Sequence, residues 1–290
     1  MLRSDRNDFR SGISATATVA GPIGMNILDI FTIALLGLLM LSSLIVWGVI
    51  TARWNVVQPA LEQHDRNPVP ISPGIVIACG LAWILAQRIA FSAFEVQEAT
   101  SLANVHYASL ANLLTVFFVV AILLVSYGFG ALRDLGLFPR DPFSEIASGI
   151  WGFLASILPV LAVIIATSHF RSESQQHSFL QFLRANPSPE VILWIGLAVC
   201  VLAPLAEELL FRVVLQGAMQ ARMEPRTAIL IASVIFAAVH NLPDSIALLP
   251  LGGILGYVYY QRNSYLAAVV VHALFNLINL EMLLLSLRQQ

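Results

Sequence analysis

Apolar residues run along this chain in blocks separated by short polar segments. About 20 such residues in a row cross the hydrocarbon core of a bilayer as one helix. Eight blocks read as helices on that rule, at 27–50, 75–94, 108–129, 146–168, 191–219, 226–240, 245–262 and 265–287. The sixth is short for a full span. Two connectors are larger than the rest: 51–73, with four prolines, and 169–189, rich in Ser, Gln and charge. The pattern predicts an all-α, polytopic transmembrane bundle of about eight helices. Residues 1–26 form a polar tail, 27–189 hold N-terminal helices with no assigned role, and 190–290 form a core whose four helices enclose a polar cavity. The run after the tail is long enough to span, so it reads as an uncleaved first helix and not as a signal peptide.

Composition sharpens this. With 58% hydrophobic residues, 11% charged residues and a mean hydropathy of +0.81, the chain is too apolar for a soluble globule of its size. It belongs in a membrane, and the multi-pass pattern suits the cell membrane of a bacterium. A net charge of −2 offers no global basic surface for nucleic acid. All fifteen basic residues are Arg, and they divide almost evenly between the two sets of loops, so positive-inside counting sets no orientation. Cys79 and Cys200 lie in apolar runs and make neither a disulfide framework nor a Cys-rich metal site. No internal repeat is visible, which gives no support to an inverted-repeat transporter.

The exceptions to apolarity carry the chemistry. Glu207, Glu208 and Arg212 stand inside the fifth run, after Pro204. Charged groups at membrane depth are expensive and usually face a cavity. Arg212 is four residues after Glu208, one helical turn on, so the two are placed to form an ion pair. Glu207 points about 100° away and has no local partner. Two further pairs at the same spacing follow: Phe236 with His240, and His272 with Asn276, whose stripe Asn279 extends. Depth counted at about 1.5 Å per residue brings them together. From the loop at 221–225, Glu207 is roughly 18 Å deep and His240 roughly 21 Å. From the return near Asn263, His272 is roughly 10 Å deep and Asn276 roughly 16 Å. Four other histidines, His64, His106, His169 and His177, fall in polar connectors and read as solvated.

A buried Glu with no ion partner can serve as general base toward water. Two imidazoles and a carboxylate could hold a metal such as zinc, or could hydrogen-bond an oxyanion. Asn276 offers an amide donor to the same oxyanion. If a metal binds, His240, His272 and Glu207 are its ligands.

At these residues the chain resembles the type II CAAX prenyl endopeptidases, grouped with the bacterial Abi (CPBP) intramembrane proteases. The resemblance lies in Glu-Glu-x-x-x-Arg, Phe-x-x-x-His and His-x-x-x-Asn, in this order, over about 191–287, with a weaker likeness in Asp134-Leu-Gly-Leu137. It implies a membrane endopeptidase with Glu207 as the catalytic glutamate, completed by Glu208, His240, His272 and Asn276, and with Arg212 fixing Glu208. It implies a membrane-associated peptide or protein substrate, lipidated in the prenyl-processing branch. Zinc-dependent and metal-free glutamate mechanisms have both been argued for the family, and the absence of His-Glu-x-x-His leaves both open. The same polar groups would also suit a proton-coupled transporter, or a non-catalytic immunity or interaction protein that keeps the fold.

Overall fold

In a computed structural model, the described residues are 27–288 without 66, 68, 94–100, 171–177, 241 and 243. The polar tail 1–26 and His177 lie outside them. The helices are α1 (Ile27–Asn55), α2 (Pro73–Ala93), α3 (Leu102–Asp134), α4 (Pro142–Ala166), α5 (Ser178–Ala185), α6 (Pro189–Gln220), α7 (Pro225–Ala238), α8 (Asp244–Arg262) and α9 (Tyr265–Arg288). No strand occurs among the described residues. Six helices, α1–α4, α6 and α9, are long and apolar enough to cross a membrane. The protein is a multi-pass integral membrane protein.

Three expectations need correcting. The all-α bundle of about eight helices is present, and α5 forms in addition inside the connector 169–189, expected to be a loop. Two of the eight blocks are not spans by length and composition: α7 has only 14 residues, and α8 carries glycines, tyrosines and a proline that dilute its apolarity. His106 is not solvated. It lies in α3, ring to ring with Trp194 of α6 at 4.5 Å.

The ends of the helices follow from local chemistry. Ser188 caps α6, accepting from Val191 N at 3.3 Å, and Pro189 takes the first turn, where its missing N–H costs nothing. Asp141 and Pro142 start α4 the same way. Prolines inside helices have the opposite effect, because each orphans the carbonyl four residues back. Pro159 in α4 frees Ala155 O, and the indole of Trp47 in α1 donates to it at 3.0 Å. Leu158 N, one residue before the proline, donates to Ser43 Oγ at 3.3 Å. The proline of one helix thus becomes the docking point of another.

α2 pairs with α3, α7 with α8, and α4 lies against α1, α8 and α9, while α6 touches α2, α3, α7 and α9. The main core joins Leu123, Leu209, Val213, Phe236, Leu251, Leu255 and Val258 across these helices. At one end of the bundle, the turn after α3 is latched to the turn between α8 and α9. Asn263 Nδ2 donates to Asp134 O at 3.0 Å, Tyr259 Oη to Leu135 O at 3.0 Å, and Tyr265 N to Gly136 O at 2.9 Å. Gly136 has φ +73°, and a Cβ at this position would overlap the Asn263 backbone, so a side chain there meets both strain and a clash. Buried Glu145 of α4 completes the latch, accepting from Arg140 N at 2.9 Å and Ser264 Oγ at 2.6 Å.

Candidate active site

α6 is not a uniform helix. It is π-helical at Ala198–Leu202 and again at Leu209–Gln216, on either side of the α-helical turn Ala203–Glu208. Single-turn π segments inside α-helices concentrate at functional sites. The first one has a readable consequence. Ala203 N donates five residues back, to Ala198 O, so Val199 O loses its usual helical partner. Asn276 Nδ2 of α9 supplies the replacement at 2.8 Å.

Glu208, Arg212 and His272 form a buried chain. Arg212 Nε donates to Glu208 Oε2 at 2.9 Å, and both side chains are fully buried. His272 Nδ1 donates to the other oxygen, Glu208 Oε1, at 2.7 Å. One carboxylate therefore holds a guanidinium on its own helix and an imidazole on another. The Phe236 ring lies at the centre, with the Arg212 guanidinium 5.0 Å from its centroid, the His272 ring edge-on at 5.7 Å and the His240 ring at 4.9 Å.

Glu207 has a different setting. It and His240 are partly exposed, 27% and 30%, where Glu208 is closed off. Glu207 Oε2 stands 3.8 Å from His240 Nε2 and 3.9 Å from His272 Nε2, and it makes no hydrogen bond among the described residues. His240 Nδ1 donates to Phe236 O at 2.7 Å. Both imidazoles thus use Nδ1 on a fixed acceptor and turn Nε2 toward Glu207. His240 sits just past the end of α7, a helix of only 14 residues.

The expected convergence is present: Glu207, Glu208, Arg212, His240 and His272 gather at one place. Asn276 adjoins it through the Val199 carbonyl, and Asn279 bonds its own helix at Phe275 O and is exposed. The donor pairs are spaced somewhat more widely than the ligands of a bound zinc ion. Two ligands of a tetrahedral zinc at about 2.1 Å are roughly 3.4 Å apart, closer than the 3.8 and 3.9 Å seen here. Among the described residues, no group of three His, Cys, Asp or Glu is placed to hold a metal.

A cavity of about 240 Å³ opens on the Glu207 side, lined by Trp83, Gln87, Asn112, Ala206, Glu207, Leu210, Phe211, Val239 and His240. Three of these come from α2 and α3, which add a wall to the four C-terminal helices. Gln87 and Asn112 were not singled out from the sequence. The available signal was an amide in each of two membrane spans, Gln87 beside Arg88 in α2 and Asn112 in α3.

Residues 189–278 match the family model described as Type II CAAX prenyl endopeptidase Rce1-like. The UPF0177 protein YxdF of Lactococcus lactis subsp. lactis (strain IL1403) is 40% identical over 80 residues. Those residues are 27% of this chain and 43% of that protein, so the match spans less than half of the relative's length. No solved structure matches the chain significantly. By the family match, residues 189–278, which hold the whole Glu–His cluster, are similar to the Type II CAAX prenyl endopeptidase Rce1-like family.

Proposed function

We propose that the protein is a membrane endopeptidase of the CAAX-processing type, in which Glu207 activates a water for attack on a peptide carbonyl. The observation that carries this reading is the Glu207 carboxylate. It has no protein hydrogen bond among the described residues, borders an open cavity and is faced by two imidazole Nε2 atoms. A structural carboxylate would be expected to be used up by a partner, as Glu208 is.

In this reading, Glu207 takes a proton from water lodged between it and His240. The hydroxide forms the new C–O bond and Glu207 returns the proton to the leaving nitrogen as the C–N bond breaks. His272, held by Glu208 through Nδ1–H, would in its doubly protonated form donate Nε2–H to the oxyanion. The second amide hydrogen of Asn276 is a further donor of the same kind. Arg212 and Glu208 act at one remove, by fixing His272. No step uses a metal, and activity should survive strong chelation. The substrate class carried by the family name is a lipid-modified peptide near the bilayer.

The test is peptide cleavage by purified protein in liposomes. Glu207→Gln keeps the size of the side chain and removes the base, so turnover should fall on the order of 100-fold to 10,000-fold. His240→Ala and His272→Ala should combine with it less than additively. Wild-type cleavage by Glu207→Gln would remove Glu207 as the base and end the protease reading. Proton-coupled uptake without cleavage would select the transporter alternative.

A further inference from the structure

The cavity beside Glu207 has a second side that belongs to no catalytic group. Gln87 of α2 and Asn112 of α3 line the cavity together with Glu207 and His240, with Trp83 one turn before Gln87. Both amides stand in membrane spans, where a polar group needs a reason to be. Asn112 makes no hydrogen bond with any described residue, although serine and threonine on the same helix do so locally at Ser109 and Thr115. Gln87 is oriented from behind: Tyr107 Oη donates to its Oε1 at 2.8 Å, and Tyr107 is itself set by edge-on contact with Phe91 at 6.3 Å. With Oε1 held, the Nε2 hydrogens of Gln87 are left for the cavity. The remaining walls, from Leu210, Phe211 and Val239, are apolar.

We infer that Gln87 and Asn112 are substrate-positioning residues that bind the main chain of an extended peptide beside the scissile bond, while Trp83 and Phe211 receive an apolar side chain. This rests on the protease reading above. The chemistry is complementary: a carboxamide carries one acceptor and two donors, and a peptide group presents one N–H and one C=O. Gln87 would donate to a substrate carbonyl, and Asn112 would serve the neighbouring N–H and C=O. Such contacts are indifferent to side-chain identity, so selectivity would come from the apolar pocket and from extension of the chain. The N-terminal helices thereby acquire a role, because they supply the half of the peptide site that residues 189–278 lack.

The experiment uses the full chain in phosphatidylcholine–phosphatidylglycerol liposomes. The probe is a fluorescent apolar nonapeptide with a central cleavable bond, and a partner probe has one flanking amide replaced by an ester. Binding is read on the Glu207→Gln background by fluorescence anisotropy, and KM and kcat are read on wild-type Glu207. Gln87→Met and Asn112→Leu are near-isosteric and apolar, hence compatible with a membrane span. Each should weaken binding and raise KM about tenfold, with the smaller part of the effect in kcat. Wild type should bind the ester probe about tenfold more weakly than the amide probe, and Asn112→Leu should bind both alike. Tyr107→Phe should weaken binding in wild type and add nothing to Gln87→Met. A uniform loss on both probes for every variant would mean a merely structural role and overturn the inference, as would unchanged binding. Intact binding without any cleavage by wild type would sink the protease reading alone, and no binding of either probe would sink both.

Discussion

α3 and α6 are nearly equal in length, 33 and 32 residues, and both are strongly apolar, yet several of their buried polar groups find partners in different places. In α3, Ser109 donates to Val105 O and Thr115 to Ala111 O, each one turn back on its own helix. In α6, the buried Glu208 and Gln216 reach across to other helices, to His272 and to Gly256 O. α3 keeps regular geometry until Gly128, where φ +77° breaks it near its end. α6 is π-helical on both sides of its charged turn. Hydropathy does not separate the two. What does is where a polar group finds its partner. A bond within the helix costs little to arrange and fixes nothing else. A bond between helices fixes two elements against each other, and losing either member leaves a buried orphan. Tyr107 and Asn112 depart from this in α3: Tyr107 donates to Gln87 of α2, and Asn112 lines the cavity.

The largest expected effect is that of Arg212→Ala, which removes the local partner of Glu208 and leaves its bond between helices to His272 alone. It leaves Glu208 buried with one charge partner gone, at a cost of about 3–5 kcal/mol. Thermal unfolding in detergent should show the loss, and Arg212→Lys should lose less because the charge remains. Wild-type stability for the Ala variant would mean that the pair is not structural. Next is Asn276→Leu, which orphans Val199 O at the π segment. A buried unsatisfied carbonyl costs about 1–3 kcal/mol, and hydrogen exchange should rise locally in α6 near Val199. Exchange unchanged there would break the link between Asn276 and the π geometry. Trp47→Phe should cost about 1 kcal/mol by stranding Ala155 O. In a Pro159→Ala background that carbonyl regains its helical donor, so the same change should cost much less. Equal losses in both backgrounds would disconnect the tryptophan from the proline.

Most of the helical frame was legible because membrane spans announce themselves by length alone. The Glu208–Arg212 pair was legible because it is local, four residues apart on one helix. The convergence with His240 and His272 was legible because depth counting needs only rise per residue. The rest depended on things that spacing does not encode. π turns are invisible to a 3.6-residue period, so the bond from Asn276 to Val199 O could not be anticipated. The bond from His272 to Glu208 escapes a spacing argument because a carboxylate paired with Arg212 looks fully used, although it has two oxygens. The wall formed by Gln87 and Asn112 depends on how α2 and α3 pack against α6, a long-range arrangement. Asp134-Leu-Gly-Leu137, notable in the sequence as a likeness, turns out to be part of the latch onto Asn263 and Tyr265.

The smallest expected effect is Thr115→Val, and it is the sharpest control. Thr115 is fully buried and its hydroxyl donates to Ala111 O at 2.8 Å. By burial alone it resembles Arg212. By partner it does not: the Ala111 carbonyl also receives the ordinary helical donor, so removing the hydroxyl orphans nothing. Valine matches threonine in shape and suits an apolar span. Hydrogen bonds between helices in membrane proteins average about 0.6 kcal/mol, so the loss of this local one should be that or less. The same unfolding assay reads it beside Arg212→Ala. A penalty as large as that of Arg212→Ala would show that burial of a polar group, and not whether its loss strands a buried partner, governs stability here. The distinction between α3 and α6 would then have no energetic meaning.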